Sequence, residues 1–152
     1  MPDPTNDRMS AQEYRNRHMS EEAIHKAIVD WADRQAAAEP ALAMLFHPPN
    51  GGSRHGAEAQ KLKEMGVRQG VPDLLLPVRR QGACGLALEL KSPSGRLRPT
   101  QAWWLARLQA EGWAVAVAWT FSEARHVLEE YLAGTMPDQR LDLTIAEAPG
   151  HV

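Results

Sequence analysis

Two apolar runs of strand length, VPDLLLPV from Val71 and LALELK from Leu86, are separated only by RRQGACG, a stretch rich in turn residues. Runs this short and this close pair most simply as an antiparallel hairpin, which fixes the centre of the fold. Each run carries charge that a buried strand does not ordinarily tolerate: Asp73 in the first, Glu89 and Lys91 in the second. A charged group placed among core residues costs free energy unless it is paired or bound to an ion, so these three positions need a chemical reason.

The rest of the chain supplies elements to pack around the hairpin. Ser20 is a suitable helix cap, the acids Glu21 and Glu22 follow it, and Ile24, Ile28 and Trp31 recur at helical spacing, which predicts a helix over Ser20–Ala38. ALAMLFHPPNGG predicts a buried strand from Leu42 to His47, stopped by Pro48 and Pro49. A short polar helix is expected over Ala57–Met65. Beyond the hairpin, Thr100 is placed to cap a helix that Gly112 ends, WAVAVAWT reads as a further strand, and Ser122 is placed to cap a last helix that Gly134 ends. The predicted order α-β-α-β-β-α-β-α describes an α/β (α+β) domain over 20–134, a mixed sheet flanked by helices. The polar segment 1–19 lacks periodicity and reads as a flexible arm, and 135–152 as a surface tail.

Glu89 and Lys91 lie two residues apart, so strand alternation points them to one face while Leu88 and Leu90 take the other. If the hairpin register sets Asp73 beside Glu89, two carboxylates and an ammonium converge. Two acids supply the oxygen ligands that Mg²⁺ or Mn²⁺ prefers, with room left for a phosphate oxygen. An ammonium beside them can steer an attacking water or stabilise charge growing at phosphorus. Charge placement agrees: residues 47–107 carry ten Lys/Arg against four Asp/Glu, although the chain's formal net charge is -2. A basic middle between acidic flanks offers phosphates a positive face.

Pro72-Asp73 followed by Glu89-Leu90-Lys91 has the PD-(D/E)XK nuclease pattern. Its surroundings are PPNGG at Pro48 to Gly52, Arg54, GVRQGVPDLLL from Gly66 and LALELKSPSGRLRPTQ from Leu86. With them the chain resembles the VRR-NUC family, the virus-type replication-repair nucleases, over roughly Ser20 to Leu132. The resemblance implies an αβββαβ restriction-endonuclease-like core and hydrolysis of DNA phosphodiester bonds with Mg²⁺ or Mn²⁺. It implies that Asp73 and Glu89 bind metal, that the Leu90 carbonyl adds a ligand and that Lys91 is catalytic. Gln101 matches the family's glutamine after the third motif, and Glu21, rather than Glu22, is the choice for its first-helix acid because it shares the stripe of Ile24 and Trp31. Stand-alone phage and bacterial members of similar size imply a homodimer acting on branched DNA such as Holliday junctions.

Other readings stand beside these. Glu21 also suits a helix N-terminus electrostatically, and Gln101 could simply be an early helix residue. A non-catalytic DNA-binding or assembly module on the same fold, or a flap or linear-DNA nuclease, are the alternatives for function. Asn50, Arg54, Arg68, Arg96 and Arg98 are candidate DNA contacts, although Arg68 with Lys61 and Lys63 more often describes a solvated helix face than a binding patch. His47 reads as structural, and His18, His25, His55, His126 and His151 show no metal-ligand spacing. Trp103 is expected to face outward beside Arg107, where it could stack on that arginine or anchor a dimer. The single cysteine, Cys84, excludes an internal disulfide, and no run approaches the ~20 apolar residues of a membrane span. With no signal-peptide pattern at Met1, a cytoplasmic protein without a membrane or nucleotide-cofactor partner is expected.

Overall fold

The computed structural model describes residues 9–49, 56–137, 141 and 143. Three strands form its sheet in the order β1-β2-β3: β1 (Leu74–Leu76), β2 (Leu86–Leu90) and β3 (Ala114–Ala118). β1 and β2 are antiparallel, pairing Leu74 with Leu88 and Leu76 with Leu86, and β3 joins β2 in parallel, pairing Leu86 with Ala114 and Leu90 with Ala118. β1 is shorter than the apolar run that contains it. Pro72 and Pro77 bracket it, and neither has an N–H to give to a ladder.

Among the described residues five helices accompany the sheet: α1 (Ala11–His18), α2 (Glu21–Gln35), α3 (Ala57–Glu64), α4 (Pro99–Ala110) and α5 (Phe121–Ala133). Strand alternation divides the core into two layers. Leu74, Leu76, Leu86, Leu88, Leu90, Ala116 and Ala118 pack with Ile24 and Ile28 of α2 and Ala124, Leu128 and Tyr131 of α5. On the other side Ala87 and Val115 meet Leu105 of α4, with Leu75, Trp113, Leu141 and Leu143 packed against them. The result is a mixed α/β arrangement with helices on both faces, as the hydrophobic pattern implies, though not in the element order expected.

The strand expected at Leu42–His47 is instead a 3-10 helix over Pro40–Met44 followed by a single bridge. Pro40 at the helix start has its φ preset, and the Glu39 side chain accepts the Ala41 N–H, so the ALAM stretch winds inward on buried Leu42. Within Leu42–His47 Phe46 alone bridges to β1, exchanging both backbone hydrogen bonds with Leu75 at 3.1 and 2.9 Å. Pro48 and Pro49 cannot extend the pairing.

Two helix caps also fall elsewhere. α4 begins at Pro99, with Arg98 in the cap position, so Thr100 is inside the first turn. α5 is capped by Thr120, whose hydroxyl accepts the Glu123 N–H at 3.1 Å, not by Ser122. Ser122 serves α1, bonding the Gln12 and Asn16 side chains. α1 itself arises in the segment that reads as an arm: Ser10 and Glu13 make a reciprocal capping box, with Glu13 N–H to Ser10 Oγ 3.1 Å and Ser10 N–H to Glu13 Oε2 2.7 Å. No residue of α1 is buried, which is why apolar periodicity gives no sign of it.

Candidate active site

Extending the β1–β2 register by one residue sets Asp73 opposite Glu89 at the end of the hairpin. Asp73 is held there by its own side chain, since Oδ2 accepts the Leu90 N–H at 2.8 Å. Glu89 and Lys91 are 1% and 3% exposed, very low values for charged residues. Lys91 Nζ lies 3.4 Å from Glu89 Oε1 and 3.6 Å from Glu21 Oε1, and the Lys91 N–H donates to the Ala118 carbonyl at 2.8 Å, locking the end of β2 to β3. The expected convergence of Asp73, Glu89 and Lys91 is therefore present.

Gln101, buried in the first turn of α4, works in two directions. Its Nε2 donates to Glu89 Oε1 at 2.7 Å, and its Oε1 accepts the Arg98 N–H at 2.9 Å. The amide thus ties α4 to the acid on β2. Glu21 enters the constellation from the first residue of α2 through Lys91, with its carboxylate still half exposed, whereas Glu22 pairs with Lys26 at 2.6 Å. Leu90 contributes a side chain to the core and an N–H to Asp73.

Glu89 is left in an unfinished state. Oε1 has partners, but Oε2 is buried without a hydrogen-bond partner among the described residues. Desolvation, with the Asp73 charge adding to it and Lys91 opposing, pushes its carboxyl up to about 8. A buried carboxyl oxygen without a partner is costly as it stands and is what an oxygen-preferring cation would complete. The donor set of Asp73 and Glu89 fits such an ion.

A cavity of ≈ 450 Å³ opens beside Asp73, lined by Glu21, Glu22, His25, Lys26, His47 and Asp73. His25, His47 and Asp73 each place a ligand atom within 4.8 Å of the other two, so they can hold a metal ion. The imidazoles stand edge-on at 84° with centroids 4.4 Å apart, and His47 Nδ1 is hydrogen-bonded to the Asp73 carbonyl. Burial, reinforced by His47 and partly offset by Asp73, lowers the pKa of His25. Sequence reading passed over both, His47 as structural and His25 for want of ligand spacing, and the structure groups them in space. The signal available was His25 one turn after Glu21 on the same helix face; the partners come from segments too distant in sequence for spacing to reveal.

Of the candidate DNA contacts, Arg96 and Arg98 are exposed on the segment that leaves Lys91 for α4. Arg68 is exposed and close to the Lys63 and Val67 carbonyls. Asn50 and Arg54 lie outside the described residues. Trp103 is not left outward: it is half-buried, edge-on to Trp104 with centroids 5.5 Å apart, while Trp104 Nε1 donates to the Gln69 carbonyl at 3.0 Å. Among the described residues no helix is long and apolar enough to cross a membrane.

No curated protein matches the chain. A solved structure described as a VRR_NUC domain protein matches with a TM-score of 0.64 and 26% identity, over 76% of this chain and 89% of that one. The VRR-NUC domain matches residues 6–120. With that match spanning the hairpin, its acids and its lysine, the chain belongs to the VRR-NUC domain family, which implies a nuclease of the PD-(D/E)XK type.

Proposed function

We propose that the protein is a divalent-metal endonuclease that hydrolyses DNA phosphodiester bonds, with branched DNA as its preferred substrate. The observation that carries the reading is Glu89: a buried acid with one oxygen orphaned, set opposite Asp73 and 3.4 Å from a buried ammonium. Asp73 and Glu89 would hold Mg²⁺ or Mn²⁺, with the Leu90 carbonyl and Glu21 as further oxygen donors. The bound ion would supply positive charge that polarises the phosphoryl group and eases deprotonation of the attacking water.

The chain's own residues set the geometry for this. Gln101 holds Glu89 by Oε1, which leaves Oε2 for the ion. Lys91, out of water and braced between Glu89 and Glu21, presents a fixed ammonium to the water or to the phosphate oxygens as charge builds on them. Arg96 and Arg98, and with them Asn50, Arg54 and Arg68, are the proposed backbone contacts. A homodimer and the branched-substrate preference are part of the proposal, as what the resemblance to stand-alone family members implies.

Labelled junction, flap and linear DNA, incubated with and without Mg²⁺ or Mn²⁺, tests the reading. Cleavage is expected only with the ion, first on the junction. Lys91→Ala should lower it by about 10²-fold or more while DNA binding, measured by gel retardation, is kept. Cleavage at the wild-type rate in that variant, or no product on any DNA, defeats the assignment; equal cutting of junction and linear duplex removes only the branched preference. A monomer mass by light scattering removes the dimer.

A further inference from the structure

We infer that His25, His47 and Asp73 form a second cation site, selective for a first-row divalent transition ion, which shares the Asp73 carboxylate with the site at Glu89. Three separate parts of the fold deliver the donors. His25 stands on α2, His47 follows the residue that bridges to β1, and Asp73 immediately precedes β1. Their ligand atoms lie within 4.8 Å of one another on the wall of a ≈ 450 Å³ cavity, which leaves room for water or a phosphate oxygen to complete the coordination.

The hydrogen bond to the Asp73 carbonyl fixes the chemistry of His47. A carbonyl oxygen only accepts, so Nδ1 carries the proton and the lone pair sits on Nε2, the arrangement in which a second hydrogen bond orients a metal-binding imidazole. The Asp73 carboxylate is likewise oriented, through Oδ2 and the Leu90 N–H at 2.8 Å. Lys26, the cation in the cavity wall, is matched by Glu22 at 2.6 Å. Two imidazole nitrogens and one carboxylate with open positions suit Zn²⁺, Co²⁺ or Fe²⁺, whereas Mg²⁺ favours oxygen donors such as Glu89. One carboxylate thus stands between a nitrogen-rich and an oxygen-rich site, and the donor chemistry of the former is independent of the nuclease reading.

Co²⁺ titration followed by its visible d–d absorption tests the site, with Zn²⁺ competition as a second readout. The wild-type protein is expected to bind Co²⁺ in the presence of excess Mg²⁺ and to release it to Zn²⁺. His25→Ala and His47→Ala should each weaken Co²⁺ binding by about tenfold or more. Glu89→Gln should keep it. His25→Ala leaves the His47 hydrogen bond untouched, and thermal melting of each variant reports its folding. Unchanged Co²⁺ affinity in both histidine variants, displacement of Co²⁺ by Mg²⁺ alone, or loss in Glu89→Gln with the histidine variants unaffected would each overturn the site. Glu89→Gln separates the two readings, since the nuclease proposal requires it to stop cleavage and the histidine site requires it to retain Co²⁺.

Discussion

Glu89 gains a hydrogen bond from Gln101 and the nearby charge of Lys91 at one oxygen and nothing at the other, so the metal-free protein favours its protonated form. Its folded-state pKa of about 8 exceeds the ordinary 4.5, so the folded chain holds the proton more tightly than the unfolded chain does. The resulting stabilisation is complete below the ordinary value and is lost as pH rises through the folded one. In the absence of metal, the melting temperature should therefore fall between about pH 5 and pH 8, and Glu89→Gln should remove part of that slope. An identical slope in the variant would show that other groups carry it. Gln101 acts on the same acid, and its replacement by Ala should lower the cleavage rate by about 10 to 100-fold while DNA affinity stays as in the wild type. A rate unaffected by that substitution would reduce Gln101 to a helix-start residue.

Elements meet at the site through close backbone approaches. Gly70 has φ +82, and a Cβ there would come within 2.7 Å of the Thr100 backbone in the first turn of α4. Gly70→Ala should destabilise the protein by more than about 1 kcal/mol, from left-handed strain together with displacement of α4 from the segment leading to Asp73. An unchanged urea midpoint would contradict that packing. The hairpin and the α2 cap at Ser20 were legible because short-range rules govern both: apolar runs of strand length, a turn between them, a serine before two acids. The 3-10 helix at Pro40–Met44 and the caps at Arg98 and Thr120 were not. Local preference there is shared between neighbours such as Ser122 and Thr120, and a contact with α1 decides between them.

Across the whole molecule the ten Lys/Arg of residues 47–107 lie on either side of the acidic centre in sequence, with Arg96 and Arg98 exposed next to Lys91. If these two arginines contact phosphates, replacing both by Ala should lessen the slope of log K against log salt by about 2, measured by anisotropy on labelled DNA in Ca²⁺. A slope equal to wild type would move the backbone contacts elsewhere. By itself the sequence determined the hairpin, the shared face of Glu89 and Lys91 and the cost of burying them, because strand period and the price of buried charge are local properties. Only the tertiary structure decided that Asp73 stands opposite Glu89, that Gln101 and Glu21 reach the same cluster, and that His25 and His47 gather beside Asp73. Those meetings depend on how α2, α4 and the Phe46 bridge dock on the sheet, and docking is set by packing among residues far apart in the chain.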